Sequence, residues 1–260
     1  MKTACRAYSE PVPATTIADL TALLTREPGR PRITWYGDDG ERVELSGAVL
    51  DNWVSKTTNL LVEELDAGPG TVVLLDLPGH WRTVLWALAA WRCGATVGTG
   101  EAPAADVVVT DRPGRHDARR AAVVALALPA LARRVDDLPA GALDGAASVM
   151  TYGDALGWVP AVEPQRAALL ADGAPVTHGD LLAHAVGSAD VPERSRVLTA
   201  AAGAAQTVVT TLGVLACDGS VVLTSSGAAG RLRQDADARE RLVGTERVDL
   251  DRLEPGLPTA

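Results

Sequence analysis

Two rhythms of apolar positions alternate along this chain. Val49, Leu50, Trp53, Val54, Leu60, Leu61 and Leu65 keep the 3.6-residue period of an amphipathic helix, and Ser46 stands where it can cap that helix. Gly68-Pro69-Gly70 ends the period. Thr71–Leu77 (TVVLLDL) is then a continuous apolar run, the signature of a strand buried in a parallel sheet. Pro78-Gly79 turns the chain into a second helix with Trp81, Leu85, Leu88 and Arg92 on one face, and Gly94 stops it. Ala95–Thr99 and Asp106–Thr110 read as further strands, joined by a short loop where a helix would ordinarily cross over. Upstream, Thr16-x-x-Asp19 predicts a capped short helix through Leu24. Arg32–Tyr36 and Glu41–Leu45 flank Gly37-Asp38-Asp39-Gly40 as a hairpin.

The second half repeats the alternation. Ala121–Leu128 reads as a strand, and Thr177-x-x-Asp180 starts a helix over Gly179–Val186. Arg196–Ala201, the apolar helix 204–216 and Ser220–Thr224 form a β-α-β unit. A charged helix from Arg231 to Leu242 and a short strand near Arg247–Leu250 follow. This alternation predicts an α/β fold, a mostly parallel sheet with helices on both faces. The pattern divides into a first α/β subdomain over 1–128, an irregular linker rich in Pro, Gly, Ala and Asp over 129–165, and a second α/β portion over 166–260. One continuous globular unit stays open as the alternative.

Charge and rare residues narrow the function. The 260 residues carry a formal net charge of −9, which argues against nucleic acid or an anionic membrane as partner. The six arginines of 112–134 face a single acid, Asp117, and read as solvated charge unless an acidic partner surface meets them. Val197–Cys217 carries no charge over 21 residues, yet it splits into a β-like and a helical run, so a buried strand–turn–helix is expected there instead of a membrane span. Cys5, Cys93 and Cys217 are far apart and odd in number, and the N-terminal stretch lacks an apolar core of signal-peptide type; together these imply a reducing, cytoplasmic setting. Lys2 and Lys56 are the only lysines. A P-loop lysine or Schiff-base lysine beyond Lys56 is therefore excluded.

The order of elements resembles the N-terminal part of the adenylate-forming superfamily of acyl-CoA synthetases, luciferases and adenylation domains. The likeness rests on Ile33-Thr34-Trp35, Glu44-Leu45-Ser46, Gly68-Pro69-Gly70, Val72–Leu75 with Leu77-Pro78, and Trp91-Arg92-Cys93-Gly94-Ala95. Val107–Asp111, Pro175–Leu182, Arg196-Val197-Leu198 and Gly219–Leu223 extend it. The family's Ser/Thr/Gly-rich phosphate loop, which ends in Pro-Lys-Gly, precedes the Thr-His match. Here Leu169–Pro175 runs straight through with Asp172 and no lysine. Ala200-Ala201-Ala202 stands in place of the family's aromatic-His step, and the sequence stops ahead of the adenine and ribose motifs and the lysine-bearing C-terminal domain. No catalytic residue carries over.

Two candidate binding groups remain. Ser225, Ser226, Gly227, Gly230 and Arg231 follow an apolar strand and open a helix, the ingredients of a phosphate site at a helix N-terminus, although an ordinary turn uses the same residues. Thr177 and His178 open another helix, with His178 read as partly exposed. His80 and His116 have no partner at a recognised spacing. Asp38-Asp39-Gly40-Glu41 reads as a turn instead of a metal site, and Trp81, Trp86 and Trp91 as core instead of an acyl pocket. The expected protein is a non-catalytic relative of the adenylate-forming enzymes, with no metal and no fixed cofactor, that binds a protein partner or a small acyl or nucleotide ligand. The alternative is a residual AMP- or acyl-binding component of a two-chain acid–thiol ligase, for which ATP or AMP would be the cofactor.

Overall fold

The structure, a computed structural model, describes residues 14–100, 104–130, 132 and 134–253. It contains two mixed, mostly parallel sheets. The first runs in the order β12 (Leu250–Asp251), β10 (Arg196–Ala200), β11 (Ser220–Thr224), β1 (Pro31–Tyr36), β2 (Arg42–Ser46), and only the β1–β2 hairpin is antiparallel. The second runs β7 (Leu143–Asp144), β6 (Ala122–Ala125), β5 (Val107–Thr110), β3 (Val72–Asp76), β4 (Thr96–Gly98), β8 (Ala167–Leu170), β9 (Val176–Thr177), with β8–β9 antiparallel. The segments Thr71–Leu77, Ala95–Thr99 and Asp106–Thr110 thus supply three adjacent parallel strands, as their apolar runs require. Strands from both sides of 129–165 enter each sheet: β1 pairs with β11, and β4 pairs with β8.

Helices fill the space between the sheets. α2 (Gly47–Leu65) touches β1 and β2 on one side and α3 (Trp81–Arg92) on the other, while α3 lies against β3 and β4. α6 (Ala204–Ala216) joins α3 to β11 and packs along α5 (Leu181–Ala189), and α1 (Ile17–Leu24) closes one end. Trp81 through Trp91 are all buried, so α3 is a helix covered on every side. The three tryptophans are core residues, and Trp91 Nε1 donates to the Ala168 carbonyl at 2.6 Å. The opposite face of the first sheet buries Leu198 and Val222 under α7 (Ser226–Gln234) and α8 (Ala236–Glu246).

Several local expectations need correction. The charged helix expected over Arg231–Leu242 is two helices. Asp235 takes extended backbone angles, ends α7, and caps α8 by accepting from Ala238 N, a local bond that competes with helix continuation. α2 ends at Leu65, its last periodic apolar position, with Asp66 in the left-handed conformation (φ 49°) two residues ahead of the Gly-Pro-Gly. Asp180, not Thr177, stands at the cap of α5, because the Thr177 hydroxyl is spent on Asp180 itself. β7 and α4 (Gly145–Val149) add regular structure inside 129–165. The strand–turn–helix expected over 197–217 is present as β10 and α6, and among the described residues no helix is long and apolar enough to cross a membrane.

Candidate functional site

The stretch that resembles the edge of a phosphate loop is a tight hairpin. Ala171–Pro175 connects β8 to antiparallel β9, and Gly173 turns the chain at φ 118° with open space around it. Five residues spent on closing a hairpin leave no run of free backbone N–H groups long enough to wrap a polyphosphate. Lys56 is also committed: its Nζ donates to the Tyr152 carbonyl and pairs with Asp154, each at 2.7 Å. Ala201 and Ala202 are packed against Gly79, where an added Cβ would sit 2.1 Å from the Ala202 carbonyl oxygen. Close approach of two backbones fills the place where the resemblance puts an aromatic side chain.

The residues Ser225 to Arg231 come together, but around an internal anion. Ser225, and not Ser226, is the N-cap of α7; its Oγ accepts from Ala228 N and donates to Asp38 Oδ1 at 2.6 Å. Arg231 reaches back to the Asp38 carbonyl at 2.7 Å. Gly227 is required by this contact, since a Cβ there would lie 2.2 Å from Asp38 Oδ1, whereas Gly230 faces open space. The Asp38 carboxylate therefore occupies the positive end of α7, and a phosphate arriving there would meet a like charge. The signal for this was in the hairpin turn Gly37–Gly40, which the sequence pattern assigned to turn geometry alone.

Thr177 and His178 lead to a different place. His178 is 7% exposed, not partly exposed, because β9 and α5 fold its ring under α1. It borders a pocket of about 190 Å³ together with Thr16, Ile17, Trp91, Leu181 and Leu182. The floor of this pocket is apolar and buried, and its rim is exposed at Thr15, Thr16, Ala18 and Gly179. Burial lowers the His178 pKa, and the neighbouring backbone of Gly94 and Ala95 opposes that shift without reversing it. His178 Nε2 has no partner among the described residues. A neutral ring with a bare Nε2, a donor or an acceptor according to its tautomer, is thus held at the wall of a largely apolar pocket.

The other two histidines discussed above acquire partners that spacing could not show. His116 Nε2 lies 2.9 Å from Asp76 Oδ2, a carboxylate that also accepts from Thr110 and Arg112. His80 caps α3 by accepting from Arg82 N, and burial together with the Arg82 charge pushes its pKa down to about 3.

No family model matches the chain. A TIGR03089 family protein of Mycobacterium tuberculosis is 34% identical over 248 residues, which is 89% of this chain and 95% of that relative. The chain belongs to the TIGR03089 family. In structure, this family member is similar to the crystal structure of a Brucella canis acyl-CoA synthetase, with a TM-score of 0.65 at 20% identity. The match covers 87% of this chain and 48% of the synthetase, so the chain spans about half the length of that enzyme. The TIGR03089 chain thus has an acyl-CoA-synthetase-like α/β fold. At this identity the likeness concerns fold alone.

Proposed function

We propose that this TIGR03089 family chain is a non-catalytic binding module on an adenylate-forming-type fold, and that its ligand is a small, largely apolar molecule held in the pocket at His178. The supporting observation is the unpartnered Nε2 of a buried, neutral histidine on an apolar wall. A buried polar atom left without a partner costs about 1–3 kcal/mol, and a ligand hydroxyl, which can donate or accept, removes that cost. Cavities of roughly 150 Å³ with apolar walls already accept benzene-sized molecules. A pocket of about 190 Å³ suits a ring or a short chain with one donor group. The hairpin at Ala171–Pro175 weighs for this reading over a nucleotide-binding partner in a two-chain ligase.

A matched pair of probes tests it. Benzyl alcohol and toluene should both raise the Tm, with the alcohol binding about 2–10-fold more tightly through one net hydrogen bond. His178→Phe keeps an aromatic ring and removes both ring nitrogens, and it should erase the preference for the alcohol. If neither probe shifts the Tm or the His178 ring signals in the NMR spectrum, the reading fails.

A further inference from the structure

A second set of unsatisfied groups lies at the start of α3, away from the His178 pocket. Thr57, Trp81 and Arg82 border a cavity of about 10 Å³, with Trp53, Leu126 and Gly145 completing its wall. Thr57 Oγ1, Trp81 Nε1 and Arg82 Nε are all buried there and have no hydrogen-bond partner among the described residues. Trp81 is 3%, Arg82 7% and Thr57 0% exposed. Two of the three orphan atoms can only donate, and the threonine hydroxyl can do so as well. The guanidinium stacks 4.5 Å from the centre of the Trp81 ring, which orients it without neutralising it.

The charges around Arg82 sharpen the case. Glu41 is the acidic group that faces it, but Glu41 Oε2 accepts from Trp35 Nε1 at 2.9 Å and Oε1 accepts from Ala130 N at 2.5 Å. Neither oxygen forms an ion pair with Arg82. His80, on the same helix start, is held neutral by burial. Arg82 is therefore a largely buried cation with no ion pair among the described residues, a costly arrangement for any fold. The place itself favours anions. The cavity lies beside the N-terminal, positive end of α3.

We propose that this cavity binds one small monatomic anion of chloride size, held by Trp81 Nε1–H, Arg82 Nε–H and the Thr57 hydroxyl. The volume admits a single water-sized occupant, which excludes phosphate and larger oxyanions. A water molecule in the same place satisfies the hydrogen bonds but leaves the guanidinium charge uncompensated; an anion satisfies both. Bound there, the ion ties α2 to α3 and so acts on the helix layer between the two sheets.

Bromide replaces chloride in crystals and is visible by anomalous scattering. Wild-type crystals soaked in bromide should show an anomalous peak between Trp81, Arg82 and Thr57. An ordered water without anomalous signal, or a carboxylate of this chain seated on Arg82, would overturn the proposal. In solution, exchanging gluconate for chloride at constant ionic strength should raise the wild-type Tm by about 3 °C. Arg82→Met should abolish that rise, and Thr57→Val should reduce it. An equal chloride response in wild type and Arg82→Met would also overturn it, and if that variant does not fold, the bromide experiment decides alone.

Discussion

The outer face of the first sheet and the helix layer behind it satisfy their polar groups in opposite ways. Under α8, Glu246 is 6% exposed and receives hydrogen bonds from Tyr36, Arg42 and Arg196. Those donors hold its pKa down at about 2 in spite of burial. At the start of α7, Asp38 answers Ser225 and Arg231, and Arg239 pairs with Asp251. In the helix layer, by contrast, Thr57, Trp81, Arg82 and His178 keep buried atoms without partners. A region whose buried charges are answered from within the chain, as at Glu246, is built for rigidity. One that leaves donors and acceptors open has capacity for something else, and both proposals made above concern that second region.

Breaking the saturated region should give the largest effect. Glu246→Gln strands Arg196 under α8 and should cost about 3 kcal/mol in urea unfolding at neutral pH, the low end for removing one partner of a buried ion cluster. The wild-type contribution is present above the ordinary carboxylate value of 4.5 and is lost as pH falls from there through about 2, because the folded pKa is the lower one. A variant as stable as wild type would show that the cluster is not the anchor of α8.

The open region should titrate earlier. His80 has a folded pKa of about 3, below the 6.5 of an unfolded histidine, so the unfolded chain takes up the proton first. Stability is then full above about 6.5 and declines as pH falls toward 3, by up to about 1.4 kcal/mol per pH unit, and His178 adds in the same direction. His80→Asn keeps a helix cap and should flatten the slope between pH 6.5 and 5, where Glu246 does not yet contribute. An unchanged slope would place the titration elsewhere.

The smallest contrast lies within α7. Gly230→Ala, in open space, should stabilise by about 0.5–1 kcal/mol through helix propensity. Gly227→Ala should destabilise by a similar amount, because its Cβ displaces Asp38 from the helix start. Thermal unfolding of the two variants, measured side by side, checks the sign of each.

The legibility of this molecule in its sequence follows the same divide. α6, β11 and the β3–β4–β5 group are readable because unbroken apolar runs of fixed period leave them no alternative burial. Two sheets in place of one were not readable, since strand partners such as β1 and β11 lie far apart in the chain and apolar periods carry no pairing information. The break at Asp235 was hidden by a charged stretch in which α8 has little apolar face. Among site residues, Ser225 to Arg231 looked like an anion site because the sequence shows the donors and not the Asp38 that occupies them. His178 was visible as a residue but not as a buried one, and Arg82 gave only one faint signal, a cation at the start of a mainly apolar helix whose other charge, Arg92, stands at its end.

The proposed function requires that the acyl-CoA-synthetase-like fold lacks a grip on nucleotide here, and ATP–pyrophosphate exchange tests that proposal most directly. Purified protein with magnesium, ATP, labelled pyrophosphate and a panel of aliphatic and aromatic carboxylates should give no exchange above a blank without protein, because a five-residue hairpin stands where the polyphosphate would be wrapped. Carboxylate-dependent exchange that rises in proportion to this protein would contradict the account.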